Sequence, residues 1–178
     1  MQKSFRVILV LALIAAGVLA WRVLFPSPRN VIRSRLRNLA ETVSFEAGQG
    51  MIPKALKARQ LADYFTPDLK TVANIRGYGT CAWDGRDELI QNAALKMQQL
   101  GALKVEFKDI NITLETGNQS AVANLTAAAT VPGERDFFVQ EFNFKLRKIG
   151  GHWLICQVET VNTLSEGQPV QPGAAEPK

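Results

Sequence analysis

The chain has 178 residues, 47% of them hydrophobic and 21% charged, with a formal net charge of +5, two cysteines and one histidine. That composition suffices for one domain that buries its own core without metal or disulfides, and it argues against disorder in the middle of the chain. A lone histidine with two cysteines in no C-x-x-C pair excludes a zinc cluster, and no cofactor is expected.

Residues 1–25 open with Lys3 and Arg6 and run uncharged from Val7 to Trp21, with Val23, Leu24 and Phe25 beyond Arg22. Residues 5–25 fit a transmembrane helix in contact with membrane lipid if Arg22 snorkels to the head groups. The competing reading is a secretory signal cleaved after Val18-Leu19-Ala20; the bulky Trp21 and the arginine behind it favour the uncleaved anchor. A single-pass membrane protein follows, with its domain placed on the outer side (periplasmic or extracellular) and a cytoplasmic domain as the alternative.

The basic residues crowd behind this leader. Arg22, Arg29, Arg33 and Arg37, with Arg35, suit a membrane surface carrying anionic lipid. Nucleic acid is not expected as a partner, since no aromatic residues interleave with the arginines.

Pro26-Ser27-Pro28 reads as a linker (26–28), with Ser27 or Asn30 as a helix cap. Ile32, Leu36, Leu39 and Val43 give one apolar stripe of a first helix, with Arg29, Arg33 and Arg37 as a row on its solvent side. Pro53 opens a second helix, running to about Asp63, with Leu56 and Leu61 inward. A strand is predicted from Thr71 to Trp83, bent or bulged around Gly77 and Gly79. Asp84 is placed as the N-cap of a third helix, whose buried stripe is Leu89, Ile90, Ala93, Ala94, Met97 and Leu100.

Residues 104–163 hold four strand-like runs separated by GNQ, PGE and IGG, connections short enough for antiparallel neighbours. A phase slip near Lys108-Asp109 predicts a bulge that curves the sheet. Phe138, Phe142, Phe144 and Leu146 form a core row. Ala121, Ala123, Leu125, Ala127 and Ala129 form another, which is either a surface for close helix packing or the floor of a cavity. Cys81 and Cys156 read as small strand residues, or as a disulfide if their strands are neighbours. Residues 165–178 have three prolines and no apolar period, a disordered tail. Asn111, Asn118 and Asn124 begin glycosylation triplets that matter only in a lumenal eukaryotic setting.

The order helix, helix, strand, helix and four curved strands, with Tyr64-Phe65-Thr66-Pro67-Asp68 followed by Gly85-Arg86-Asp87-Glu88-Leu89-Ile90, resembles the nuclear transport factor 2-like / SnoaL-like superfamily, the ketosteroid isomerase-type cone. The resemblance covers about residues 29–164. It implies an α+β fold with helices packed on a curved mixed or antiparallel sheet (a cystatin-like cone), and homodimerisation through the sheet. It would place the isomerase base at Ala73 or Asn74 and the oxyanion acid near Asn143 or Phe144, none of them fit for proton transfer. Catalytic residues are therefore not assigned.

Tyr64, Arg76, Tyr78, Trp83, Glu141 and Glu159 are the candidates for a ligand pocket at the cone mouth, and His152 reads as a surface turn residue. The function expected is a membrane-anchored, non-catalytic binding or scaffold module for a protein partner or a small apolar ligand. Its layout resembles the periplasmic scaffold subunits of type IV secretion systems. The alternative is an isomerase, dehydratase or cyclase using Asp109, Glu141 or Glu159.

Overall fold

A computed structural model of the chain describes residues 27–75, 79–132 and 137–161. The expected leader with Arg22, the candidates Arg76 and Tyr78, and the expected tail lie outside these residues. Among the described residues no helix is long and apolar enough to cross a membrane.

Helix α1 (Pro28–Val43) starts where Ser27 accepts a hydrogen bond from the Asn30 N–H, and proline takes the first turn, where its missing N–H costs nothing. Ile32, Leu36 and Leu39 are buried as the spacing predicts, with Ala40 beside them. The expected arginine row is broken. Arg29 and Arg37 are exposed, but Arg33 is half-buried and its Nη2 donates to the Ile110 carbonyl at 3.3 Å. Just past the helix, Ser44 Oγ donates to the Ala40 carbonyl (2.7 Å) and accepts from the Val105 N–H (2.9 Å), and Phe45 bridges to Leu103. These bonds clamp the end of α1 to the sheet.

Helix α2 (Met51–Gln60) continues into a 3-10 turn, Leu61–Tyr64. The sequence expectation for α2 fails at Leu56, which faces out, while Lys54 and Ala58 are buried. The single bent strand expected over Thr71–Trp83 is instead a hairpin. Strand β1 (Phe65–Ile75) begins six residues earlier than predicted and pairs antiparallel with β2 (Gly79–Asp84). Helix α3 (Arg86–Gln99) is preceded by Gly85, not capped by Asp84. Gly85 has φ +102 and its N–H donates to the Leu69 carbonyl at 2.7 Å, a backbone shape that a side chain would strain. Of the stripe predicted for α3 only Met97 is fully buried; Leu89, Ile90, Ala93, Ala94 and Leu100 are half-buried against the core.

Strands β3 (Lys104–Leu114), β4 (Ser120–Thr130), β5 (Phe137–Ile149) and β6 (His152–Thr160) form the expected antiparallel meander. The six strands run in the order β2-β1-β6-β5-β4-β3, with β1 parallel to β6, so the sheet is mixed. Helix α3 links the two edge strands, β2 and β3. The bulge read from the phase slip is present: Asp109 has φ +51 and the β3–β4 register shifts between Lys108 and Asn111. A second shift, in the β5–β6 pairing, leaves Cys156 unpaired between Ile155 and Gln157. Both give the sheet curvature.

One core lies between the helices and the inner face of the sheet. The alanine row supplies Ala121, Ala123, Leu125 and Ala127 to it, packed with Ile32, Leu36, Leu39, Phe144 and Leu146. Ala123 is 0% exposed, so the alanines serve close packing and do not floor a cavity. Cys81 and Cys156 are free and half-buried. Strand β1 separates their strands, roughly 10 Å at the usual strand spacing and too far for a disulfide.

Candidate functional site

The alternation of the strands decides which side chains can meet a ligand. Register pairs share a face of the sheet. On the inner face, the positions where the resemblance places a proton-transfer pair hold Ala73, 3% exposed, and Phe144, 5% exposed. Their neighbours Asn74 and Asn143 point to the other face. There Asn74 is exposed, and the half-buried Asn143 donates through Nδ2 to Asn124 Oδ1 at 2.8 Å.

The three carboxylates considered for chemistry all lie outside the cone. Asp109 is exposed at the bulge. Glu159 pairs in register with Val72 and Asn143, and Glu141 with Thr126, which puts both on the outer face.

Two depressions among the described residues divide the candidates. The larger of the two, about 430 Å³, is an open groove between residues 30–38 of α1, the 3-10 turn and the β5–β6 turn. Tyr64 lines it with Asn30, Ser34, Arg35, Asn38 and His152, above Val31 and Trp153. Arg35 is fixed there by its neighbours: Nη2 donates to the Asp63 carbonyl, and the guanidinium carbon lies 5.1 Å from the Tyr64 ring centroid. The Tyr64 hydroxyl shares a 3.1 Å hydrogen bond with Thr42 Oγ1. Among the described residues no carboxylate lines the groove. It can present cations and hydrogen-bonding groups to a polar ligand, but an arginine does not exchange protons at neutral pH, and His152 is exposed at the turn.

The second depression, about 340 Å³, lies on the outer face and is lined by Val72, Asn74, Thr80, Glu159 and Thr160. Glu159 accepts from Gln157 Nε2, and Thr160 Oγ1 accepts from the Asn74 N–H at 3.0 Å. Glu141 is exposed on the same face, two strands from Val72. Trp83 is half-buried on the inner side of the hairpin, opposite Thr71. The candidates therefore do not converge: Tyr64 borders the groove, Glu159 and Glu141 occupy the outer face, and Trp83 stands apart.

Arg35 was visible in the sequence only as one of a basic cluster, because its place beside Tyr64 depends on how the turn after α2 folds back. Among the described residues no three His, Cys, Asp or Glu side chains form a metal-binding group.

The comparisons with known proteins bear on the fold. A nuclear transport factor 2-like protein with a cystatin-like fold from Novosphingobium aromaticivorans superposes with a TM-score of 0.58 at 16% identity, over 80% of this chain and 86% of that one. The fold is the cystatin-like cone. A domain of unknown function with a cystatin-like fold from Nostoc punctiforme gives 0.57 at 11% identity, covering 80% and 81%. A provisionally assigned scytalone dehydratase from Novosphingobium aromaticivorans gives 0.54 at 13%, covering 74% and 80%. Identities this low carry the architecture of the cone and no activity. No protein-family model matches the chain, and no curated protein matches it significantly.

Proposed function

We propose that the chain is a non-catalytic binding or scaffold module, held at a membrane by residues 5–25, that engages a protein partner through the outer face of its sheet. The observation that supports this is the contrast between the two faces. The inner face is filled by α1 and the alanine row, with Ala73 and Phe144 where a proton-transfer pair would stand. The outer face is left open, with Val72 and Val139 exposed among polar residues. Exposed apolar side chains on an uncovered sheet favour a partner that removes them from water. A small apolar ligand inside the cone loses its room to the same packing.

The partner this reading favours is a second copy, meeting sheet to sheet, with the domain on the outer side of the membrane. The catalytic reading, an isomerase, dehydratase or cyclase, has Asp109, Glu141 and Glu159 as its acids, and the cone directs all three away from its interior. Light scattering on residues 27–178 tests the self-association: a dimer whose population grows with concentration is expected, and a strict monomer counts against it.

A further inference from the structure

Helix α2 is inverted relative to the usual burial of its residue types. Its lysine Lys54 is buried with Ala58, its ammonium donating to the Leu100 carbonyl at 2.9 Å and lying 4.6 Å from the Phe45 ring centroid. Its large apolar side chains face out: Met51 is 71% exposed, Ile52 84% and Leu56 57%. Lysine is rarely buried unless held by partners, and three large apolar side chains left in water on adjacent turns are a cost unless something covers them. A departure of this kind from the inside-apolar pattern is expected at functional surfaces.

The charge left exposed on the helix indicates what covers it. Lys54 is buried and Lys57 is half-buried on the Ser44 carbonyl, which leaves the exposed Arg59 seven residues along from Ile52 and three from Leu56 on one face, with no acid among the ten residues. An apolar face that carries a basic residue suits the boundary between head groups and acyl chains of an anionic leaflet. A bilayer is within reach. Lys57 donates to the Ser44 carbonyl, so α2 sits at the far end of α1 from Ser27, one helix length or about 24 Å from the point where the leader joins.

We propose that α2 is a membrane-surface helix that sinks Met51, Ile52 and Leu56 into an anionic leaflet and so lays the cone domain down on the bilayer. This rests on the leader holding the chain at a membrane, and the experiment keeps the two claims separate.

The full chain, with Cys81→Ser and Cys156→Ser as background, is reconstituted into phosphatidylcholine–phosphatidylglycerol vesicles. Nitroxides are placed singly at Ile52→Cys, at Leu56→Cys, in the leader at Leu13→Cys and in the exposed β3–β4 turn at Thr116→Cys, away from both α2 and the outer sheet face. Collisions with oxygen and with a water-soluble nickel chelate then report depth. The expected result is loss of nickel-chelate collisions at positions 13, 52 and 56, with position 116 open to the chelate. Labels at 52 and 56 as open as 116, with 13 shielded, overturn the α2 inference and leave the leader standing. An open label at 13 overturns the leader reading, and shielding at 116 equal to that at 52 overturns the inference as well, because the immersion would not belong to α2.

Discussion

Arg147 donates through Nη2 to both carboxylate oxygens of Asp68, at 2.7 and 2.6 Å, and so ties β5 to β1 across the intervening strand β6. The Thr66 hydroxyl beside Asp68 and the Arg147 guanidinium hold the carboxyl below its ordinary value. Thr66 Oγ1 is not in hydrogen-bonding geometry, so the guanidinium is the firmer cause. A carboxyl lowered on folding contributes stability above its unfolded pKa, and that contribution is lost as pH falls through the folded value. Asp68→Asn should therefore remove part of the acid-side loss, below about pH 4. Urea midpoints at neutral pH and in that acid range check it; an acid loss equal in wild type and variant would contradict it. The pair is solvent-exposed, so the effect should be small and should shrink in high salt.

Lys54 closes the end of α3. Its ammonium bonds the Leu100 carbonyl just past the last turn and stacks over Phe45. Lys54→Met keeps the aliphatic stem but removes the charged donor, and should cost roughly 1.5–3 kcal/mol in chemical denaturation. An unchanged midpoint would mean that the lysine is not seated there.

Ala123 sits with no exposure between the sheet and α1, beside Phe144 of the next strand. If the cone interior is filled, Ala123→Leu overpacks it and should cost about 1–3 kcal/mol. A gain in stability would instead reveal unfilled space and reopen the small-ligand reading.

Thr71 carries a buried hydroxyl without a partner on the inner face, opposite Trp83. Thr71→Val keeps the shape and removes the unsatisfied group, so the melting point should rise, by an amount equivalent to about 1 kcal/mol. A fall would show that the hydroxyl finds a partner in solution.

The parts of this fold that follow from periodicity were legible in the sequence. The β-branched and aromatic runs after Lys104 gave the meander, and the phase slip at Lys108-Asp109 gave the bulge, because a strand's period of two allows no slip without an extra residue. The stripe Ile32, Leu36, Leu39 gave the face of α1. What the sequence hid depends on tertiary contacts. Nothing local says that Lys54 turns inward and Leu56 outward, since the reasons lie at Phe45 and Leu100. The pairing of β1 with β2 read as one bent strand, because a strand break and a bulge look alike in sequence before the pairing is known. The candidate site was less legible than the fold for the same reason: Arg35 and Tyr64 are adjacent only in three dimensions, and the face taken by Glu141 and Glu159 is fixed by register with β4, β5 and β1.

The claim that the open sheet face is where the protein binds is tested most directly by placing charge on it. Val72→Arg with Val139→Arg alters two exposed residues of that face and leaves the core untouched. Light scattering across a concentration series, alongside a thermal melt, is the measurement. The account predicts an associating parent chain and a monomeric variant with an unchanged melting point. A variant that associates as the parent does would contradict it.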